Sequence, residues 1–356
     1  MNVLCRPLVA AFICLSALLA GLPAFGQFLD QEILQADSIT PPMIDAMTDV
    51  IDPEMDRLIS GEPESISKAR KNLIQLLNYQ DASKAFRIAF STQITKRMDG
   101  AVNHDDTLVR MNAMIILNAM VDDDSKALID SGLEDDSDAV KRWAMKALGS
   151  RCRWWRGQGA NAQDVADAIK QIVAQLDQNP PPHPIVVDAG LEALLNADSP
   201  AARSALVDQL NKRVALHAAD SSLSYSPERV AIERFSGVLS LESKKDFQST
   251  KDLSRAMYRY ASLIITQVQA GGMSEDQRLG ALTMLLESMQ GLVRTTLASK
   301  AKPPVNHPNA KNWIQNGGWV DLKNLVEKDW AAILTGNPFN LKPDQLAVGK
   351  EEALAP

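Results

Sequence analysis

Two stretches of this chain spell the same helix. "DDTLVRMNAMIILNAM" begins at Asp105 and "DDSDAVKRWAMKALGSR" at Asp135, and with Asp105 set on Asp136 they align thirty-one residues apart. In that register Val109 matches Val140, Ala113 matches Ala144, Met114 matches Met145 and Leu117 matches Leu148, while Arg110 is answered by Lys141. Val, Ala and Leu at i, i+4 and i+8 run along one helix face. The alanine in mid-stripe lets a neighbouring backbone come close, and the larger residues on either side fill the space around it. The aspartate precedes the helix, where its carboxylate caps free amides. The basic residue after the valine is free to reach a carboxylate or carbonyl of an adjacent turn. One hairpin cannot bury such a stripe on both sides, so each unit has to be stacked on a copy of itself.

The rest of the chain has the same grain. Helical periodicity recurs near 41–59, 64–78, 81–97, 106–121, 124–132, 137–154, 162–176, 185–196, 199–217, 226–241, 249–270, 274–299 and 319–335. No stretch alternates as a half-buried strand would. The breaks are turn chemistry, "SGEPES", "VDDDS", "RGQGA", "NPPPHP" and "NADSP" among them, and several place Asp or Ser just before an apolar run. Short helices joined by short turns stack as hairpins. The fold class expected is all-α.

The two aligned stretches resemble the short HEAT-like repeats found in many bacterial proteins. "IVVDAGLEALLNADSPAARSALVDQL" (185–210) looks like a third unit, with Ala189 and Ala193 on its close-packed face, and "SKARKNLIQLLNYQDASKAFRIAF" (67–90) like a degenerate one. The resemblance covers residues 60 to 217 and implies an α-solenoid of stacked hairpins. Proteins of that class mostly act as binding surfaces or scaffolds, and a minority are enzymes. Beyond residue 225 the repeat opening is gone and the helices lengthen. The expected organisation is therefore HEAT-like repeats over 40–217, a divergent helical cap over 218–335, with a separate helical domain as the rival, and a flexible tail over 336–356.

The start of the chain reads as an address. "LVAAFICLSALLAGL" runs apolar from Leu8 to Leu22, too short to span a bilayer and right for a signal-peptide core. Pro23 follows, and Ala24 and Gly26 stand at −3 and −1 before Gln27. The expectation is a signal peptide over 1–26, a linker over 27–39, and a mature chain exported to the periplasm or the extracellular space. A retained N-terminal anchor is the rival. Cys5 and Cys14 leave with the leader, so Cys152 remains as a single thiol with no partner for a disulfide or a zinc site. The mature chain then carries 36 basic against 44 acidic side chains. An acidic exported chain is a poor ligand for nucleic acid. No later segment is long and apolar enough to span a membrane.

The sharpest local feature is "RCRWWRGQG", which sets Arg151, Arg153 and Arg156 around Trp154 and Trp155. Arginine and tryptophan together are enriched where a partner is gripped. The competing reading has the tryptophans closing the repeat over its core while the arginines cap carbonyls and pair with nearby aspartates. The acidic runs Asp122–Asp124 and Glu134–Asp138 lack the glycine and distal glutamate of a calcium loop, so capping accounts for them. His104, His183, His217 and His307 have no second ligand at metal spacing, and His217 ends a helix, where its charge would suit the dipole. Trp313, Trp319 and Trp330 could stack on sugars, with Trp319 and Trp330 placed in the core on the competing reading. No HExxH, GxSxG, P-loop or GxGxxG occurs, and no cofactor is implied. The sequence thus points to an exported scaffold that binds another protein through Arg151, Arg153, Trp154, Trp155 and Arg156. An exported enzyme or polysaccharide-binding protein on the same helices is the alternative.

Overall fold

The structure, a computed structural model, describes residues 29–120, 124–158, 162–242 and 246–348. Every regular element among them is helical, so the chain is all-α. The expected signal peptide (1–26), Asp122 and Asp123, and the end of the expected tail lie outside the described residues. The chain packs as two units divided between Ser125 and Lys126. That division falls inside the span expected as one array, 40–217.

The first unit holds α1 (Gln31–Gln35), α2 (Pro41–Ile59), α3 (Pro63–Leu77), α4 (Lys84–Thr95), α5 (Asp99–Val102) and α6 (Thr107–Ala119). Pro41 and Pro63 open α2 and α3 at positions where a missing amide is harmless. Met47, Ile51, Met55 and Leu58 make one buried stripe of α2, and Ile66, Ala69, Leu73 and Leu77 another on α3, which packs against it. In α6 the repeat stripe of Val109, Ala113 and Leu117 is buried. Asp106 rather than Asp105 caps that helix, accepting from Leu108 N at 2.8 Å. Arg110 folds back so that Nη1 donates to the carbonyls of His104 and Asp105, each at 2.8 Å. The span expected as a linker is partly built into the unit. Leu29 and Leu34 are buried, α1 packs on α4, and Ser83 N donates to Leu34 O at 2.8 Å.

The second unit is a two-layer array. It begins with α7 (Lys126–Leu133), α8 (Asp138–Gln158), α9 (Ala162–Leu176), α10 (Pro184–Ala197) and α11 (Pro200–Ala219). It continues with α12 (Ser226–Glu242), α13 (Phe247–Ala270) and α14 (Glu275–Ala298). One layer is α8, α10, α12 and α14 side by side, and the other is α9, α11 and α13. This is the packing of a solenoid, and it runs on through α14 with no change at residue 217. Val140, Ala144 and Leu148 form the buried stripe of α8, and Ala189 and Ala193 are buried on α10. Those two helices approach closely. A Cβ added to Gly149 would meet Ala193 Cα at 2.7 Å.

α11, α12 and α13 are joined by a buried polar network that the sequence did not announce. Arg213 Nε donates to Glu228 Oε1, and His217 Nε2 lies 3.1 Å from the same oxygen. The His217 ring stacks on Tyr225 with centroids 3.9 Å apart. Tyr225 donates to Gln267 Oε1 at 2.8 Å, and Gln267 Nε2 donates to the His217 carbonyl at 2.7 Å. Burial pushes the Glu228 carboxyl upward, but the His217 hydrogen bond and the Arg213 charge outweigh it and hold the group below its ordinary value. His217 stands in the last turn of α11, as expected, and with no exposure it is a core residue.

The chain then returns over α13. After α15 (Ala310–Asn316) come α16 (Trp319–Asn324), a π-helical turn (Leu325–Trp330), α17 (Ala331–Thr335) and α18 (Pro343–Leu346). α15 packs on α14, and the elements after it pack on α13. Trp330 is fully buried, whereas Trp313 and Trp319 are half-buried. The described part of the expected flexible tail is packed instead. Phe339, Leu341 and Leu346 are buried, and the Phe339 ring lies 5.9 Å from that of Phe247. Three well-spaced apolar residues are enough to hold it down.

Candidate functional site

The Arg–Trp cluster is the last two turns of α8, and helical spacing divides it. Leu148, Cys152 and Trp155 stand at i, i+4 and i+7 and continue the buried stripe. Arg153 and Arg156, three apart, fall on the exposed face. Arg151 is only 4% exposed, with its guanidinium 5.1 Å from the Trp155 ring centroid, and Trp155 is likewise 4% exposed. These two belong to the interior, a correction to their expected place on a contact surface. Trp154 is half-buried. Burial also pushes the Cys152 thiol up to about 12, with the nearby Arg151 charge opposing it.

Arg153 and Arg156 reach across to the end of α10. Arg153 Nη2 donates to Asn196 Oδ1, and Arg156 Nη1 donates to the Asp198 carboxylate and, at 3.1 Å, to the Asp198 carbonyl. Asp198 has the left-handed backbone of a helix end, with φ of 40°. Its other carboxylate oxygen accepts from Arg203 Nη2 at 2.7 Å, and Arg203 Nη1 continues to Asp246 at 3.1 Å. On the neighbouring helix Arg234 Nη1 donates to Glu192 Oε1 at 3.0 Å, and Lys146 Nζ lies 2.8 Å from Glu192 Oε2.

These side chains frame a cavity of about 380 Å³ between α8, α10, α11 and α12. Arg153, Arg156, Arg203 and Arg234 stand around it, and Leu194, Leu206, Phe235 and Val238 supply its apolar lining. With Lys146 included, four cations pair with the carboxylates of Asp198, Asp246 and Glu192, and Arg153 holds the Asn196 amide. Burial lifts the Asp246 carboxyl, yet hydrogen bonds from Ser249 and Arg203 outweigh it and keep the group below its ordinary value. Glu192 behaves alike, with Lys146 and Arg234 overcoming burial. The Asp246 and Glu192 carboxylates are therefore ionised at neutral pH, and together with Asp198 they position the arginines, whose planar donor forks suit incoming carboxylate or phosphate.

Sequence reading brought out two of the four arginines. Arg203 carried a usable signal, since it follows Asp198 by the same five residues that separate Asp105 from Arg110 and Asp136 from Lys141. Arg234 carried none, because its place beside Glu192 is set by the packing of α12 on α10. A second cavity, about 370 Å³, lies between α9, α11 and α13 and mixes Asp208 with Lys212 and Arg255. Burial and the charge of Asp252 raise the Asp208 carboxyl, while Lys212 is already held by Asp177 at 2.6 Å. Asp135 accepts from Ser137 N at 2.8 Å, and His104 and His183 accept from backbone amides at their helix starts. Among the described residues no group of three or more His, Cys, Asp or Glu side chains is placed to hold a metal, and no helix is long and apolar enough to cross a membrane.

No protein-family model matches the sequence, and no curated protein matches it either. Among solved structures the chain is similar to two crystal structures of engineered proteins. One is 17% identical with a TM-score of 0.32, covering 68% of this chain and 97% of its own. The other is 15% identical with a TM-score of 0.33, covering 90% and 92%. Likeness at that level carries no argument about what this chain does.

Proposed function

We propose that this protein is an exported HEAT-like scaffold that holds another protein, gripping an acidic segment of it in the groove between α8, α10, α11 and α12. The observation that carries this reading is the ring of Arg153, Arg156, Arg203 and Arg234 around an apolar lining, on a chain whose net charge is −7. A local cluster of positive charge attracts an acidic visitor, and its arginine forks can pair with the visitor's carboxylates. Arg153 is exposed and donates to a neutral amide, so an incoming carboxylate gains a charge-assisted bond there. Val238 and half-buried Leu195, over a floor of Leu206 and Phe235, give apolar side chains of the visitor a place to sit. Export rests on the apolar run Leu8–Leu22 and the small residues before Gln27.

The test is a fluorescence-anisotropy titration with a labelled peptide that alternates Glu and Leu. Binding should be in the micromolar range, about −8 kcal/mol, and should weaken with salt. Replacing Arg153 and Arg156 together by Ala should weaken it about thirty-fold, a loss of about 2 kcal/mol. Lys212→Ala, in the other cavity, should change nothing. Equal affinities for wild type and the double variant would refute the site.

A further inference from the structure

We propose that the corner of the second unit formed by residues 300–309, α15 and α16 rests on the surface of an anionic lipid bilayer. From Thr295 to Val326 the chain carries four lysines, Lys300, Lys302, Lys311 and Lys323, against one carboxylate, Asp321. That balance is the reverse of the whole chain, whose net charge is −7. Lys300, Lys302 and Lys311 are exposed, and none of the three pairs with a carboxylate among the described residues. Lys323 lies 3.8 Å from Glu327. The 307–309 turn and α16 both pack on α15, and α15 packs on α14, so the lysines gather on one corner.

The two most exposed large apolar side chains among the described residues stand on the same corner, Val305 at 92% and Val320 at 71%. Val305 is held out on a stiff turn. Pro303, Pro304 and Pro308 fix their own backbone angles, and His307 N donates to the Pro304 carbonyl at 3.1 Å. An apolar tip ordered beforehand gives up little conformational freedom when it enters a bilayer surface. Val320 follows a pair of tryptophans. Gly317 takes the left-handed backbone, with φ of 70°, that turns the chain back, and a Cβ on Gly318 would meet the Trp313 ring at 3.0 Å. Trp313 and Trp319 flank that turn, both half-buried. Each offers an apolar ring and a polar N–H, the combination that settles at the headgroup level of a membrane. Lysine rather than arginine supplies the charge here. A diffuse negative surface holds no fixed pair of oxygens for an arginine fork to match. A flexible lysine reaches the headgroups while its methylenes lie against apolar ground. The corner makes no use of the arginine groove and stands apart from the partner proposed above.

Vesicle sedimentation tests this with the chain from Gln27, which keeps every described residue and omits the apolar run Leu8–Leu22. The protein should pellet with vesicles of phosphatidylglycerol and phosphatidylcholine in equal parts and come off as salt is raised. It should stay in solution with phosphatidylcholine alone. Lys300→Ala, Lys302→Ala and Lys311→Ala together should weaken binding about a hundredfold, about fivefold for each charge. Val305→Asp with Val320→Asp should weaken it by more than about tenfold, with the thermal melt unchanged because both residues are exposed. Lipids brominated in their acyl chains should quench the tryptophan fluorescence of bound protein, and Trp313→Phe with Trp319→Phe should remove most of that quenching. Equal binding to both kinds of vesicle overturns the proposal, as does binding to neither. So does binding that survives the lysine or the valine changes, or quenching that persists without Trp313 and Trp319.

Discussion

The close approach of α8 to α10 at Gly149 gives a sharp test of the packing. Gly149 lies in the interior of α8, where replacing glycine by alanine favours the helix by about 1 kcal/mol. The added methyl would sit 2.7 Å from Ala193 Cα and 2.9 Å from Ala193 Cβ. Its principal obstacle is α10 backbone, which cannot rotate away as a side-chain tip would. α8 and α10 must therefore separate by several tenths of an ångström, loosening the packing of Ala144, Leu148 and Ala189 with them. Overpacking of this kind costs about 1–3 kcal/mol, so the net effect of Gly149→Ala is a loss of about 1 kcal/mol. Gly157, on the same helix, has nothing within 4 Å of the position its Cβ would take. Gly157→Ala should stabilise by a few tenths of a kcal/mol, because it lies in the last turn. Urea unfolding reads both as midpoint shifts at constant slope. Adding Ala193→Gly to Gly149→Ala should restore part of the loss, since the methyl of residue 193 is removed while the α10 backbone stays in the way. If Gly149→Ala stabilises as much as Gly157→Ala, the two helices do not approach so closely and the layer is wrong.

Further outcomes follow from the structure and from the sequence. Glu228, Asp246 and Glu192 are held below their ordinary carboxylate values, so their stabilisation is present above about pH 4 and is lost as pH falls through the depressed values. The melting temperature should be level from about pH 8 to about pH 5 and drop below about pH 4, and Glu228→Gln should cost about 3–5 kcal/mol at neutral pH by leaving Arg213 buried without its carboxylate. Melting temperatures that rise on acidification would contradict the network. Cys152, buried and pushed up to about 12, should resist a thiol reagent at pH 8 in the native protein, and a chain that begins at Gln27 should react once in guanidinium. Sequencing of the secreted protein should begin at Gln27, and a full-length chain kept in the cytoplasm would end the export reading.

Much of the fold was legible because each long helix writes its own stripe. Val109, Ala113 and Leu117 mark a buried face by their spacing alone, as do Val140, Ala144 and Leu148. What escaped was short or distant. α1, α5, α15 and α18 are four to seven residues long, too short for periodicity to register. Phe339 and Leu341 are lone apolar residues in a polar stretch, and only α13 gives them something to pack against. The candidate site was half legible. Arg151 and Trp155 were grouped with Arg153 and Arg156 because they are adjacent in the chain, although a turn of 3.6 residues sends them to opposite faces. His217 and Glu228 are eleven residues apart on two helices, and nothing in either segment says that the hairpin between them brings the rings and carboxylate together.

The proposed function stands or falls on what enters the arginine groove. Val238 lines it at 37% exposure, and a photo-reactive benzoylphenylalanine placed there would attach to whatever occupies it. Irradiated with envelope extract, the protein should yield one cross-linked partner whose attached peptide is rich in Asp and Glu, and the adduct should disappear in high salt and in the Arg153→Ala, Arg156→Ala background. The same probe at Val305, 92% exposed and remote in sequence, should not capture that peptide. A neutral or basic peptide at position 238, or the same adducts from both positions, would contradict the account.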